Sequence, residues 1–526
     1  MNKCGGRGSA GLGTPWRTAV AVAVPAGVML LLGLWGLDRG GMWRDEAVTF
    51  QVARRSVPQI WLLLHRVDAV HGLYYFLMHA VLALRPGEAV LRLPSVCAAA
   101  VAAGLVAALG ARLVRPRVGL WAGLLYAVTP LVGHYAQEGR SYAMVAAGTA
   151  GATLLLLRAL RGRSWWPYGV TLALTCLLHE LAVLLVLAHA LTLLYARVER
   201  SAWPRWAASA GGAVLALMPL AVVSKGQAGQ VAWLPRPGAD SAERLLHAFL
   251  GPTAPVFWTC LVLALLALPG PRRLTPAAVA LPWAVVPPLI LLAVSQFRPM
   301  YDDRYVLYAL AGAPLLVAAG ADRVLGGVAR PAPGVRRAGV LVPLAGTLVV
   351  ALAFVHQLPL HRRDRTLARP ATLAAVSAFA ARELRPGDAV VFLPTIGRRA
   401  AVTYPRSFRG VRDVALKAPG PVSGTLYGRE RGAAELRRDL LALDRLWVAA
   451  EPYALESAWY PRNPTERVKL TVVTEEFVPS EPRREFVRDG VSLRLYTRRP
   501  AAPARFPPAS TGFPAPPAGR PRPAHR

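Results

Sequence analysis

The segment RTAVAVAVPAGVMLLLGLWGL (17–37), followed by DRGGMWRDEAVT (38–49), decides the fold class of this chain. The first part is long and apolar enough to cross a bilayer, because a transmembrane helix needs about 20 apolar residues. It is too long for the apolar part of a cleaved signal peptide, and no small-residue cleavage site follows it, so we predict a retained anchor. The second part places two adjacent carboxylates, Asp45 and Glu46, at the membrane surface.

Apolar runs of this kind recur along the 526 residues. Hydrophobic residues make up 54% of the chain and charged residues only 17%, against about a quarter in soluble proteins. We therefore predict an α-helical polytopic membrane protein with about eleven spans. The predicted spans are 17–37, 89–111, 118–133, 141–157, 166–178, 181–196, 207–223, 254–269, 276–294, 304–321 and 338–356.

The net charge of +32 invites a nucleic-acid interpretation, but the arginines lie mainly in short segments between the apolar runs. With the N-terminus in the cytoplasm, every predicted inside loop is basic, which is the pattern of orientation signals. We expect a multi-pass protein of the bacterial plasma membrane that binds no nucleic acid.

The chain divides into four predicted parts. They are a cytoplasmic segment (1–16), a transmembrane domain (17–357) with a first extracytoplasmic loop (38–88), an extracytoplasmic α/β domain (365–499) and a disordered Pro/Arg-rich tail (500–526). Aromatic and apolar residues at helical spacing in the first loop predict amphipathic surface helices. In the C-terminal domain, the pattern predicts strands at 389–393, 445–450, 468–473 and 491–496. The four cysteines suggest neither a disulfide framework nor a zinc site.

Asp45 and Glu46 are the first candidates for chemistry. A carboxylate near lipid is costly to desolvate and tends toward a higher pKa, which suits a general base. The structural alternative is that one of them stabilises the N-terminus of the helix that follows.

A second cluster, Asp68, His71 and Tyr74, comes late in the first loop. Asp68 and His71 share a helical face and could bind a divalent metal or a sugar, but two groups do not complete a metal site. An interfacial aromatic belt explains the same residues structurally.

Two further clusters lie in very short turns between spans. Glu138, Arg140 and Tyr142 occupy the first turn, where charged groups are expensive unless they are paired or functional. Arg304 and Tyr305 occupy the second, where a guanidinium could bind a lipid phosphate. On the predicted topology these clusters, together with His179-Glu180, all lie at the outer face.

The order of these motifs resembles a known family. WRDEAVT (43–49), DAVHGLYYFLMH (68–79), LRLPS (91–95), HYAQEGRSYA (134–143) and YDDRY (301–305) are similar to elements of the GT-C membrane glycosyltransferases. The resemblance is to bacterial relatives of protein O-mannosyltransferases and aminoarabinose transferases. Gly72-Leu73 departs from the two prolines that the family has after the histidine.

The resemblance implies an inverting transfer of a sugar, mannose or a related one, from a polyprenyl-phosphate carrier to a hydroxyl of a glycan, lipid or protein. It assigns Asp45 as base, with Glu46 beside it. The donor-binding residues it implies are Asp68, His71, Tyr74, Glu138, Arg140, Tyr142, Arg304 and Tyr305. No cofactor is certain, and a divalent metal stays open. Two other functions are a transporter or flippase of lipid-linked sugars and a membrane-anchored protein of envelope assembly.

Overall fold

The structure is a computed structural model, and it describes residues 15–231, 233–269, 274–328, 338–367, 372–456, 460–488 and 491–500. The predicted tail at 500–526 lies outside the described residues except for its first residue, and the predicted N-terminal segment at 1–16 lies outside except for its last two.

In the described part of the chain, sixteen α-helices run from the first apolar segment to the start of the C-terminal domain. They are α1 (Pro15–Leu34), α2 (Arg44–Ala53), α3 (Val57–Leu64), α4 (Gly72–Leu84), α5 (Glu88–Leu113), α6 (Pro116–Val128), α7 (Pro130–Ala136), α8 (Tyr142–Ala159), α9 (Trp166–Leu178), α10 (Leu184–Tyr195), α11 (Ala202–Gly226), α12 (Ala239–Leu250), α13 (Ala254–Leu266), α14 (Pro276–Val294), α15 (Gly312–Val328) and α16 (Ala338–Leu367). Four 3₁₀ segments, Ala69–His71, Glu180–Val183, Ala228–Val231 and Asp303–Ala311, complete this part.

The protein is a multi-pass membrane protein, but the count of eleven spans is not confirmed. Among the described residues seven helices are long and apolar enough to cross a bilayer, or eight if the bent pair α12 and α13 forms one span. The difference arises where the helices are short. The run 118–133 is divided at Thr129-Pro130, where proline starts a new helix. In the two spans predicted at 166–178 and 181–196, α9 has 13 residues and α10 has 12.

The first loop folds as the helices α2, α3 and α4. Helix α3 shows the amphipathic pattern that the sequence predicted, with Ile60 and Leu63 fully buried and Trp61 59% exposed. The loop therefore forms a folded layer at one face of the membrane domain. We call this the loop face.

The C-terminal domain is a small α/β structure, as predicted. Its helices are α17 (Thr372–Glu383), α18 (Arg399–Thr403), α19 (Gly420–Ser423), α20 (Ala433–Leu441), α21 (Pro452–Leu455) and α22 (Pro464–Glu476). Its strands are β1 (Ala389–Leu393), β2 (Arg412–Asp413), β3 (Leu416–Ala418), β4 (Arg429–Glu430), β5 (Arg445–Ala450), β6 (Phe477–Pro479), β7 (Glu485–Arg488) and β8 (Val491–Arg498). In the main sheet the order is β2-β1-β5-β8-β6, with β7 on β8, and β1 is parallel to β2 and β5.

Three of the four predicted strands are confirmed, and the strand predicted at 468–473 is wrong. These residues form the middle of α22. Asn463 caps this helix by accepting a hydrogen bond from the Glu466 N–H, and Pro464 occupies its first turn. Start signals of this kind favour a helix over the β-branched composition of the run.

The C-terminal domain packs directly on the first loop. Both contribute to one apolar core, in which Phe50, Ile60 and Met78 of the loop join Phe392 and Trp447 of the domain. At the edge of this core Tyr404 donates a hydrogen bond of 2.6 Å to Glu88. The domain therefore covers the loop face rather than hanging free from the last helix.

Candidate active site at the loop face

Asp45 and Glu46 lie in the first turn of α2, where acidic side chains interact favourably with the helix dipole. The N-cap residue is Trp43, so neither carboxylate caps the helix from the position before it. Their side chains point into different surroundings, and those surroundings define the site.

Asp45 is bound by two arginines from distant parts of the chain. Its Oδ2 lies 3.0 Å from Arg304 Nη1 and 3.6 Å from Arg140 Nη2. Arg304 also contacts Asp302 at 3.2 Å, and Arg140 donates to Thr49 at 3.4 Å. The Asp45 side chain keeps 27% exposure, so this carboxylate is both charge-paired and accessible.

Glu46 is enclosed. Arg92 donates to its two oxygens from Nε and Nη2, at 2.8 Å each, and the Gly139 N–H donates to Oε1 at 2.9 Å. The remaining donors of Arg92 go to backbone carbonyls, including that of Gly41 at 2.9 Å. Through this buried bidentate pair, Arg92 of α5 holds the first turn of α2 and the segment before it in place. The Gly139 N–H joins the turn after α7 to the same carboxylate.

The second cluster is brought close to the first by the short 3₁₀ turn at 69–71. Asp68 takes a left-handed conformation with φ of 62° and accepts a 2.6 Å hydrogen bond from Tyr75. Burial raises the pKa of Asp68, and burial lowers the pKa of His71 well below its ordinary value. His71 is therefore neutral at pH 7. Tyr74 is fully buried in the core of the loop and does not line the cavity described below.

Glu138, in the turn between α7 and α8, is almost fully buried. Burial raises the pKa of Glu138 to about 7, and the nearby carboxylates Glu46 and Asp45 raise it further while His134 and Arg140 oppose them. Among the described residues neither Glu138 oxygen has a hydrogen-bond partner. Tyr142 follows in α8 and packs its ring 5.9 Å from that of His179.

Arg304 is the second residue of the 3₁₀ segment that leads into α15. Asp302 caps this segment by accepting from the Arg304 N–H at 3.2 Å. The ring of Tyr305 lies 5.4 Å from that of His179. Folding turns Arg304 toward Asp45.

A cavity of about 300 Å³ adjoins this cluster. His71, His179, Glu180 and Tyr305 line it, together with Lys225 from the end of α11 and Arg298 from the turn after α14. Among the described residues no hydrogen-bond partner is found for Nδ1 of His71 or of His179. Two cations, one carboxylate and two imidazoles whose pKa burial lowers therefore line a cavity whose other walls are largely apolar. Its cations can contact an anion, and its imidazoles can contact attached hydroxyl groups.

Lys225 and Arg298 were not among the residues predicted from the sequence. The one signal for Lys225 is its position as a single lysine at the end of an apolar run. Arg92 was part of a motif, but nothing in its neighbours indicated that it would be the partner of Glu46.

A second cavity, of about 410 Å³, lies between the membrane helices and is almost entirely apolar. It is enclosed by α6, α13, α15 and α16, and the loop between α12 and α13 closes one side. A cavity of this kind at bilayer depth suits a hydrocarbon chain.

The metal ligands considered from the sequence do not come together. In the part of the chain that the structure describes, no three His, Cys, Asp or Glu side chains are grouped to hold an ion. Glu46 is bonded to Arg92, and Asp68 to Tyr75. Among the described residues, Glu46, Asp68 and His71 are therefore not arranged to bind a divalent metal.

Comparison with known proteins supports the motif resemblance. Residues 72–224 match the family described as dolichyl-phosphate-mannose-protein mannosyltransferase. The fold is similar to that of ArnT from Cupriavidus metallidurans in the apo state, with a TM-score of 0.59, 13% identity, and 90% of this chain and 97% of that chain covered. The structure of the same protein bound to undecaprenyl phosphate is similar with a TM-score of 0.57 and 13% identity, and 90% of this chain and 97% of that chain are covered. No curated protein sequence matches the chain.

These findings establish the fold. The chain is a multi-pass membrane protein with the GT-C fold and a small C-terminal α/β domain. The fold that the motif resemblance implied is therefore confirmed.

Proposed function

We propose that the chain is an inverting glycosyltransferase that uses a polyprenyl-phosphate-linked sugar, mannose or a related one. The acceptor is a hydroxyl group of a glycan, lipid or protein at the extracytoplasmic membrane face. The description of the matching family, which names a lipid phosphate and mannose, supports the donor class. So does the undecaprenyl phosphate bound to ArnT.

In the proposed reaction, the acceptor oxygen attacks the anomeric carbon of the sugar while Asp45 takes the proton from that oxygen. The bond between the anomeric carbon and the phosphate oxygen breaks, and its electron pair leaves with the polyprenyl phosphate. The products are the glycosylated acceptor, the lipid phosphate and protonated Asp45.

Arg304 links the base to the leaving group. An arriving phosphate competes with Asp45 for the Arg304 guanidinium, since both anions suit its planar fork of donors. When Arg304 turns to the phosphate, Asp45 loses one of its charge partners, and its oxygens are free to accept from the acceptor hydroxyl. Arg140 stays within reach of Asp45 and keeps the carboxylate in place.

The cavity beside Arg304 provides the donor site. Lys225 and Arg298 supply charge for the phosphate, and preorganised cations of this kind stabilise a developing anion. The neutral imidazoles of His71 and His179 can each bond a sugar hydroxyl. The apolar cavity among the membrane helices has the character that a prenyl chain requires.

The observation that carries the proposal is the contact of one accessible carboxylate, Asp45, with two arginines beside a cationic cavity. Glu46 is enclosed, whereas the exposed fraction of Asp45 leaves room for a substrate hydroxyl.

The test is transfer of labelled sugar from polyprenyl-phosphate-mannose in membranes that contain the protein at matched expression. Asp45→Asn is compared with wild type, and Asp240→Asn, at a side chain 73% exposed on α12, is the matched control. We expect transfer to fall by roughly 10²–10⁴ in Asp45→Asn, the usual contribution of a general base, and to be unchanged in the control. Equal transfer by wild type and Asp45→Asn would remove Asp45 as the base.

A further inference from the structure

Glu180 is the one carboxylate among the described residues that line the cavity beside Arg304. It begins the 3₁₀ segment Glu180–Val183, which lies between α9 and α10. The Ser224 hydroxyl, from the last turn of α11, donates a hydrogen bond of 2.8 Å to Glu180 Oε2. The other oxygen, Oε1, accepts no hydrogen bond from the part of the chain that the structure describes. One oxygen is therefore held in place, and the other is left for a ligand.

Glu180 also differs from the acidic pair of α2 in its charge partners. Asp45 is paired with Arg304 at 3.0 Å, and Glu46 with Arg92 at 2.8 Å. Among the described residues, no lysine, arginine or histidine forms an ion pair with Glu180. A carboxylate that is partly removed from water needs hydrogen-bond donors, and it can only accept. A ligand that brings hydroxyl groups into the cavity satisfies this need.

The cavity is connected with Asp45 through two neighbouring side chains. Tyr305 lines the cavity, and its ring lies 5.4 Å from that of His179, the residue before Glu180. The guanidinium carbon of Arg304 lies 5.6 Å from the centre of the same tyrosine ring. Arg304 Nη1 is 3.0 Å from Asp45 Oδ2. A ligand in the cavity can therefore contact Glu180 while another part of it lies toward Arg304.

The size of the cavity favours a donor with a single sugar. Its volume is about 300 Å³, at the lower end of the roughly 300–1,000 Å³ that small-molecule pockets span. One sugar ring with its phosphate suits such a volume, whereas a lipid-linked oligosaccharide needs a larger space.

The charges around the cavity favour a sugar that has no charge of its own. Lys225 and Arg298 contribute two positive charges to the lining and Glu180 one negative charge, so one positive charge is left over. Burial lowers the pKa of His71 and of His179, and both imidazoles are neutral. A sugar joined to a lipid through a phosphodiester carries one negative charge, which balances this excess. An amino sugar adds a positive charge and a uronic acid a negative one, and unbalanced charges are costly among apolar walls.

We propose that Glu180 selects the sugar of the donor by accepting hydrogen bonds from the hydroxyl groups of one uncharged monosaccharide. This assignment rests on the proposed function and names the class of sugar that the same site takes. Lys225 and Arg298 bind the phosphate, and Asp45 remains the base. A site built to bond a hydroxyl group rejects an analogue that lacks it, because the polar group of the protein is then left unpaired.

The experiment compares donors in one transfer assay with membranes that contain the full chain at matched expression. The donors are polyprenyl-phosphate-mannose, a set of its deoxy analogues that each lack one sugar hydroxyl, and the corresponding mannosamine and mannuronic acid compounds. For wild type we expect kcat/KM to fall roughly tenfold or more with at least one deoxy analogue, the usual loss of a hydrogen bond to a charged group. The mannosamine and mannuronic acid donors should also be used at least about tenfold less well than the mannose donor.

Glu180→Gln tests whether this selection comes from the carboxylate. The KM for the mannose donor should rise roughly tenfold with little change in kcat, because the bond is made equally in the ground state and the transition state. The deoxy analogue that wild type rejects should now lose less than about threefold relative to mannose, since the two changes remove one shared contact. The mannuronic acid donor should improve relative to mannose.

Glu199→Gln is the matched control. Glu199 is exposed, lies beyond the opposite end of α10 and also accepts from a serine hydroxyl, that of Ser201 at 3.4 Å. It should keep the wild-type order of donors.

Three outcomes would overturn the assignment. Equal losses with every deoxy analogue in Glu180→Gln and in wild type would show that the sugar does not contact Glu180, and the proposed function would stand. Use of the mannosamine or mannuronic acid donor by wild type as well as mannose would overturn the uncharged class, and this result requires no variant to fold. Absence of transfer by wild type from all of these donors would overturn the proposed function itself, and this assignment with it.

Discussion

The two sides of the first turn of α2 differ more than their sequence suggests. Asp45 and Glu46 are adjacent acidic residues, yet the Asp45 side chain is 27% exposed and the Glu46 side chain 1%. Asp45 Oδ2 contacts one nitrogen of Arg304 and one of Arg140. Glu46 instead accepts two hydrogen bonds from Arg92 and one from the Gly139 N–H.

The difference shows how one acidic pair can serve two purposes. The partners of Asp45 can turn to another anion, because Arg304 lies beside a cavity that could admit one. The partner of Glu46 has no such freedom, since Arg92 is fully buried and also bonds the carbonyls of Leu37 and Gly41. We infer that Glu46 is a positioning residue, and that the catalytic role expected from the sequence belongs to Asp45.

Neutralising Glu46 tests whether its role is structural, and we expect it to have the largest effect on stability. In Glu46→Gln the Arg92 charge is left buried without its counterion, and removing one partner of a buried pair costs roughly 3–5 kcal/mol. We expect a lower thermal midpoint and a reduced folded yield in detergent, with Asp45→Asn much less affected. A Glu46→Gln protein as stable as wild type but inactive would return Glu46 to a catalytic role.

The partner exchange at Arg304 predicts the next largest effect. In Arg304→Gln, charge stabilisation of the leaving phosphate is lost, and we expect turnover to fall by roughly 10²–10³. Arg304→Lys should recover part of the loss, because the charge returns without the planar fork. Turnover by Arg304→Gln within tenfold of wild type would contradict a role at the phosphate.

A substitution of Lys225 tests whether the cavity near Asp45 binds the phosphate of the donor. Lys225→Ala should raise the KM for polyprenyl-phosphate-mannose about tenfold, as expected for one charge-assisted contact of 1.5–3 kcal/mol that is partly exposed to solvent. Arg236→Ala, at an exposed position beyond the end of α11, is the control and should leave KM unchanged. A raised KM in the control alone would place the phosphate elsewhere.

The smallest effect that we expect is a change in the pH dependence of stability when Glu138 is substituted. Its folded pKa of about 7 lies above the ordinary value of 4.5, so between these values the folded protein holds more protons than the unfolded chain. Stability therefore falls as pH rises from about 4.5 to 7 through this group, and the loss is complete above pH 7. Glu138→Gln should flatten this part of the curve of thermal midpoint against pH, by roughly a few degrees. An unaltered curve would show that Glu138 does not titrate there.

Residue patterns predicted the broad architecture because apolar length and alternation report burial directly. The strands at 389–393 and 445–450 are found at the predicted positions. The count of eleven spans is not confirmed, since composition does not show where a proline such as Pro130 ends one helix and starts the next. The segment 468–473 became helical because its start signals outweighed its β-branched residues.

The candidate site could be predicted only as separate motifs. The sequence itself determined which carboxylates and arginines stand at the ends of the apolar runs, because charged groups are kept out of the hydrocarbon core. Tertiary structure decided that Arg304 meets Asp45 across 259 residues of chain, that Arg92 encloses Glu46, and that the C-terminal domain packs on the first loop that carries both carboxylates. The physical reason is that ion pairing depends on distance and on desolvation, and neither quantity exists until the chain is folded.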